Sequence, residues 1–512
     1  MPTIVSSSSN TFSINYHISY DTLVVARTAN VIVSTTGLPA INAASGNDGR
    51  IIIVEGLIVS SRYYGIELGD ITDPSLAVDN TVIVTQDGSV TSELTGISVY
   101  AEDSDISVQG SVYSTSFYGV SLGGDGSRLT NTGTIEGYEG VRISQTADVM
   151  NRGFVTGSNA GLGLGGSSDN SNIANEGTIS SASKGISNYG KNVSVLNTGD
   201  ILAGVTGVQS DASGFELVNA GKILGESSGV QLSGDDNYLA NSGTIEAGTT
   251  AINHVSGLGL EVKNTGTVIG NDWAFYGISS EDIVLRNLGD MIGDVRTGDG
   301  ADLIRNAGNI SGNVFLVSGN DIYRGGLGSV DGKVDGGKGN DTLYGGKSND
   351  DLMGAEGSDS LFGKGGEDTL NGGIGTDLLN GGKGQDRLLG GGQADDIYGG
   401  MGDDTLYGGG GADLLAGGRG DDVLSGGAGA DIFVFNRNAG NDLIADFTNG
   451  QDRIDLSNFG IEISSFPADL LAAATDLKSD FTLIDLSMLG GDGSIIIKGL
   501  DFSLLGASDF IL

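Results

Sequence analysis

The chain is 512 residues long and carries a formal net charge of −40, which makes nucleic acid and anionic membrane surfaces poor partners and cations good ones. It has no cysteine, excluding disulfides and thiolate metal sites, and no run of about eighteen apolar residues that would make a membrane-spanning helix. Glycine is abundant (91) and proline scarce (4). Because the glycines recur at regular spacing, this composition reads as a repeat architecture growing in one dimension, not as disorder.

Residues 1–50 are Ser/Thr/Val-rich, with strand-like alternation at Thr22–Val25 and Val31–Val33. They are expected to cap the open end of a solenoid. Their opening stretch, MPTIVSSSSNTFSINYHISYD, has neither a basic segment nor an apolar run long enough for a Sec signal, so any export address is expected elsewhere.

Residues 51–315 carry a repeat of about 22 residues. Its mark is a glycine, any residue, then an aliphatic one, at Gly88, Gly110, Gly133, Gly153, Gly177, Gly199, Gly221, Gly243, Gly266, Gly289 and Gly308. Two residues before the glycine runs a column of asparagines: Asn131, Asn151, Asn175, Asn197, Asn219, Asn241, Asn264, Asn287 and Asn306. Short aliphatic strands with Gly/Asn/Ser turns at this period predict coils of a parallel β-helix, each strand pairing with its copy one coil on. Asparagine suits a left-handed turn position, and stacked amides can bond along the column.

In residues 316–335 the repeat changes. Asp302 and Asp321 sit in TGDGADLI and VSGNDIY, and the steps from Asp302 to Asp321 to Asp341 are 19 and 20 residues. The coil is therefore expected to shorten along one axis, so that the two solenoids stack without a floppy linker.

Residues 336–434 are eleven uninterrupted nine-residue units of the form GGxGxDxLx. The sixth place is always Asp: Asp341, Asp350, Asp359, Asp368, Asp377, Asp386, Asp395, Asp404, Asp413, Asp422 and Asp431. The eighth is always large and apolar, from Leu343 to Phe433. Glycine permits tight turns with positive φ, and Asp supplies the hard oxygen that calcium takes six to eight of. The apolar tail makes a short strand with one inward side chain, so two units close one coil. Four units depart from the pattern, with Ala355 and Lys364 at the second place and Ser348 and Gln393 at the fourth. Sites using those loops should be weaker or missing.

Residues 435–512 keep acidic–aliphatic alternation at Asp442, Asp446, Asp452 and Asp455. A short helix is expected from Pro467 to Ala474, then strands at Phe481–Leu486 and Ser494–Lys498, before the end Asp509-Phe510-Ile511-Leu512.

The nonapeptides resemble the RTX (hemolysin-type) repeats of secreted bacterial proteins. The tail resembles that of RTX proteins such as the serralysin-type proteases in its ADIFVF run and its DFIL end. The longer coils resemble the NTG-I repeats of bacterial surface proteins, which imply no activity. The resemblance implies an all-β chain: an N-terminal parallel β-helix stacked on a C-terminal calcium-binding parallel β-roll, with a small C-terminal β cap. It implies calcium held between Asp carboxylates and loop carbonyls of adjacent coils. One column is Asp341, Asp359, Asp377, Asp395, Asp413 and Asp431, and the other Asp350, Asp368, Asp386, Asp404 and Asp422, for about nine ions by ladder arithmetic. It also implies a C-terminal signal read by a type I exporter, an extracellular or cell-surface location, and a structural or adhesive role with a glycan or cell-surface partner.

The alternative is a polysaccharide lyase or epimerase, since alginate epimerases pair a β-helix with such repeats. Uronate chemistry needs an acid, a base and charge neutralisation on adjacent coils. The only histidines are His17 and His254, and His254 reads as a turn residue. Asp125, Asp169, Asp235 and Glu281 fall on non-adjacent coils and also read as turn residues. A further Gly-aliphatic pair lies within most coils, as at Gly65, Gly119, Gly140 and Gly277, and Tyr63, Tyr64, Phe117, Tyr118, Tyr138, Phe275 and Tyr276 precede it and could stack on sugars. No catalytic residue is assigned.

Overall fold

The structure is a computed structural model. It describes residues 50–69, 79–460 and 481–512, with the short segments 3–4, 14–15, 22–26, 30–33, 39–43 and 474–478. It divides into two compact units, Met1–Ile278 and Ser279–Leu512.

The first unit is a parallel β-helix with three strands per coil. One coil is Asp105–Val108, Ser111–Ser114 and Tyr118–Leu122. Each strand pairs in parallel with its equivalent a coil away, as Ser194–Asn197 does with Glu216–Asn219. Burial alternates along the strands, so Val195, Leu217 and Leu239 stack in the core while their neighbours face out. The marker glycines are needed for close approach. A Cβ on Gly199 would fall on the carbonyl oxygen of Gly177, and one on Gly221 on that of Gly199. The described strands Thr22–Val25 and Asn30–Val33 pair in parallel with Ile51–Val54 and Leu57–Ser60, like any coil.

The asparagine column is fully buried, and its amides form a ladder. Nδ2 of Asn131, Asn151, Asn175, Asn197, Asn219 and Asn241 each donates to Oδ1 of the next, at 2.7–2.9 Å. None of these residues has positive φ. Among non-glycine residues described in this unit, the left-handed positions are Asp79, Asp103, Asn170, Asn192 and Asp236. The column therefore recurs for its amide bonding, and the turn explanation applies to other residues.

The second unit begins with 19- and 20-residue coils. Ile283–Asn287 pairs with Leu303–Asn306, then Ile322–Arg324, then Thr342–Tyr344. The opposite sheet runs from Asn309–Ser311 and Val314–Phe315 to Ser329–Val330 and Lys333–Lys338. The segment between Gly308 and Gly336 is thus paired on both sides. From there alternate nonapeptides build opposing sheets with a register step of 18, as in Leu361↔Leu379 and Leu370↔Leu388. All eleven eighth-place side chains, Leu343 through Phe433, are completely buried.

The last coils continue into the tail. Val423–Ala428 pairs with Asn438–Ile444, which pairs with Asp492–Lys498. Ile432–Val434 pairs with Arg453–Asp455, which takes Phe510–Ile511 as its neighbour. Antiparallel pairing occurs only among Ala474–Lys478, Phe481–Asp485 and Asp492–Lys498, within the described residues. The helix expected from Pro467 lies outside the described residues, except Ala474, which opens a strand.

Candidate metal centre

The two opposing sheets place the sixth-position aspartates in two interior columns. Oδ1 of each, except Asp350 at the head of the second column, accepts the backbone N–H of the Asp one coil earlier. In the first column the bonds run 341–359, 359–377, 377–395, 395–413 and 413–431, at 2.8–3.0 Å. In the second they run 350–368, 368–386, 386–404 and 404–422, all 2.8 Å. The columns match those read from the sequence. They also extend beyond it, through Asp302 and Asp321 above Asp341 and through Asp452 and Asp442 below Asp431 and Asp422.

The second oxygen is the chemically informative one. Oδ2 of Asp341, Asp359, Asp368, Asp377, Asp386, Asp395, Asp404, Asp413, Asp422 and Asp431 is buried and has no hydrogen-bond partner. It lies against the first glycine of its own unit, where a Cβ on Gly372 would fall on Oδ2 of Asp377 and one on Gly399 on Oδ2 of Asp404. The carbonyl of the glycine one coil on approaches the same point, as Gly390 does at Gly372. Each rung therefore gathers one carboxylate oxygen and main-chain carbonyls and offers no donor.

Burial raises the carboxyl pKa throughout. It goes to about 7 for Asp359, Asp368, Asp395 and Asp404, against the bonded backbone N–H that lowers it, and neighbouring carboxylates raise it further. Asp341, Asp422 and Asp431 reach about 6, while Asp350, Asp377, Asp386 and Asp413 are raised from the same first cause. Unmatched acceptors in a dry site disfavour the anion, and a cation reverses that preference. The donor set is all hard oxygen, which fits calcium or magnesium and not zinc or copper. No three acidic or imidazole side chains converge among the described residues, so a bound ion would draw most of its ligands from carbonyls.

Asp350 departs from the set. Its Oδ2 accepts the Gly346 N–H at 2.6 Å, and Lys364 Nζ donates to the Gly345 carbonyl in the same loop at 3.2 Å. This is the unit with Ser348 at the fourth place, where Ser348 does not take the left-handed conformation. Ala355, Lys364 and Gln393 do take it, at φ 81, 75 and 77. They hold the glycine geometry under strain.

The residues weighed for catalysis are dispersed. His254 is completely buried on Thr250–Ser256, in the inward column with Leu232, and not in a turn. Burial lowers its pKa. Asp169 and Asp235 accept backbone N–H groups of Lys191 and Leu258 in neighbouring turns. Phe275 is core, while Phe117 and Tyr138 are exposed.

Two interior ladders of buried carboxylate oxygens without a donor are a site chemically suited to hard cations. Residues 332–444 match, in overlapping segments, the family model for the RTX calcium-binding nonapeptide repeat, and this part of the chain consists of such repeats. Among solved structures, the chain is similar to the AlgE6R3 subunit of the Azotobacter vinelandii mannuronan C5-epimerase, with 32% identity over 27% of this chain and 80% of that one and a TM-score of 0.21. It is also similar to the extracellular lipase LipA of Serratia marcescens, with 18% identity over 38% of this chain and 40% of that one and a TM-score of 0.19. No curated protein matches. Among the described residues no helix is long and apolar enough to cross a membrane.

Proposed function

We propose that this is a secreted protein whose second unit folds on binding calcium outside the cell after type I export, and whose β-helix has a structural or adhesive role at a cell surface or in a matrix. The observation that carries the reading is the series of buried Oδ2 atoms without a donor. Two carboxylates one strand spacing apart, about 4.8 Å, repel by roughly 0.9 kcal/mol in water and more when desolvated. The glycine-rich loops add a large ordering entropy. Calcium at the ladder, held by Asp341, Asp359, Asp368, Asp377, Asp386, Asp395, Asp404, Asp413, Asp422 and Asp431 with loop carbonyls, neutralises the repulsion and ties coil to coil.

Extracellular calcium modules bind at about 10⁻⁴–10⁻³ M, far above cytosolic calcium. The roll would therefore remain unfolded and threadable inside the cell and fold outside. Residues 435–512 would supply the exporter signal. Far-UV circular dichroism against calcium at constant ionic strength tests the folding step, and co-expression with a type I exporter, with and without the tail, tests the route. A chain with full β signal in EDTA near neutral pH would refute the first, and export without the tail the second.

One observation favours a carbohydrate ligand for the first unit. A shallow groove of about 680 Å³ runs across its outer strands, lined by Tyr113, Tyr138, Glu136, Thr156, Ser180 and Glu226. Exposed tyrosines beside hydroxyls suit sugar stacking and hydrogen bonding. The two carboxylates stand four coils apart, Glu136 within Thr134–Ile143 and Glu226 just after Lys222–Gly225, or roughly 19 Å at one strand spacing per coil. That exceeds the about 5–9.5 Å of a glycosidase pair, so the groove fits binding better than cleavage. Glycan-array binding that tyrosine-to-alanine changes abolish would support it.

A further inference from the structure

The match to the calcium-binding repeats begins at residue 332, but the geometry of the rungs does not begin there. The segment Leu316 to Arg324, LVSGNDIYR, lacks both opening glycines and keeps the rest of the unit. Val317 nevertheless adopts φ 81, the conformation the second-place glycine takes elsewhere, and Gly319 at the fourth place has φ 146. The carbonyls of Val317 and Gly319 stand where a Cβ on Gly337 or Gly339 would be, just as Gly373 and Gly357 stand toward Gly391 and Gly375. The loop thus stacks on the next one as the glycine-rich loops stack on each other.

Its aspartate shares the pattern. Asp321 is 1% exposed. Its Oδ1 accepts the Asp302 N–H at 2.6 Å, and its Oδ2 is buried without a partner. One coil earlier the pattern ends, because Asp302 Oδ1 accepts from Ile283 N–H at 2.7 Å and Oδ2 from Gly298 N–H at 3.3 Å. Thr297 Oγ1 also donates there, to the Leu316 carbonyl at 3.0 Å. Inside the matched segment Asp350 is similarly satisfied, by the Gly346 N–H, with the Lys364 ammonium on the Gly345 carbonyl of the same loop.

We infer that the cation ladder starts at Asp321, outside the recognised repeats, and omits Asp350, where the chain's own N–H and ammonium groups stand in for the ion. This rests on the calcium reading of the ladder. The ligand class at Asp321 is a hard divalent cation, held by the carboxylate and by carbonyls of its own loop and of the loop at Gly336–Asp341.

The test counts calcium bound per full-length chain by equilibrium dialysis, comparing Asp321→Asn, Asp350→Asn and Asp395→Asn. Each change keeps an Oδ1 acceptor and removes only the second anionic oxygen. Asp321→Asn is expected to bind fewer ions than the parent chain, and Asp350→Asn the same number. An unchanged count for Asp321→Asn, with a reduced one for Asp395→Asn, overturns the added site and leaves the calcium reading intact. A reduced count for Asp350→Asn overturns the omission. An unchanged count for Asp395→Asn overturns the calcium reading itself. Anomalous diffraction from manganese-soaked crystals of the parent chain gives a second readout, independent of how the variants fold. A peak at Asp321 and none at Asp350 is expected, and the reverse refutes the inference.

Discussion

Replacing Asp404 by Asn should have opposite effects with and without calcium. Asp404 is 1% exposed, accepts the Asp386 N–H through Oδ1 at 2.8 Å, and leaves Oδ2 unpartnered. Asparagine retains the acceptor, so the rung's backbone bond survives. Without calcium it removes a carboxylate whose pKa burial pushes to about 7, with the charges of Asp422 and Asp386 adding to the rise. A neighbour about 4.8 Å away repels by about 0.9 kcal/mol in water and about 3.5 kcal/mol at an effective dielectric of 20. A group half protonated near neutrality feels the lower part of that range, so the variant should stabilise the calcium-free roll by about 1–2 kcal/mol. With calcium the sign reverses. A hundredfold loss of affinity, the upper end of what losing even an outer-shell partner costs, lowers stability by about 2.7 kcal/mol at saturation.

Urea unfolding followed by far-UV circular dichroism measures both effects, in millimolar calcium and in EDTA, with an osmolyte added to bring the calcium-free transition on scale. Trp273, the sole tryptophan, lies in the first unit and reports that unit separately. Equal destabilisation in both conditions would show that the carboxylate serves only as a backbone acceptor, and the electrostatic reasoning would fail.

Acid should partly replace calcium. The ladder carboxyls are raised from 3.8 in the folded state, to about 7 at Asp359, Asp368 and Asp395. They therefore favour folding fully below pH about 4, and that stability is lost as pH rises through about 7. Circular dichroism in EDTA should show more roll structure near pH 4.5 than at pH 8. Gln393→Gly should stabilise the calcium-loaded roll by about 0.5–1 kcal/mol. It relieves about 1–2 kcal/mol of left-handed strain and gives back about 0.5–1 kcal/mol in glycine entropy. Gly384→Ala should do the reverse and more, because its φ is 128 and a Cβ there meets the Gly366 carbonyl. Asn197→Ala should cost the first unit about 2–4 kcal/mol whatever the calcium level. It leaves Asn219 Oδ1 without its donor in the core, at about 1–3 kcal/mol, and takes one of the two acceptors of Asn175 Nδ2, which keeps the Asp200 carbonyl; Trp273 emission in urea would record it.

Period carried most of the fold. A step of 18 fixes which Asp lies above which, so the columns that the repeat resemblance implies agree with the spacing, as does the stacking of Leu343 through Phe433. Period revealed less of where each side chain sits. The amide bonding expected of the asparagine column is seen, but the left-handed turn placement is not met, since Asn131 and Asn197 end strands. His254 reads as a turn residue in the sequence, yet it lies within the strand Thr250–Ser256 in register with Leu232. The exception at Asp350 depends on one backbone N–H, visible only once the loop is built, although Ser348 marked the place. Spacing already sets Asp321 in step with Asp341 but does not reveal its open Oδ2, and Val317 holds a conformation that its residue type would not suggest.

The most direct test of the central claim is hydrogen exchange resolved along the chain, with and without calcium, at pH 8. Amides of the roll, among them the Asp341, Asp377 and Asp404 N–H groups bonded to the next rung, should be protected in calcium and exchange freely in EDTA. Those of the asparagine-laddered unit should be protected in both. Equal protection of the roll amides in EDTA would contradict it.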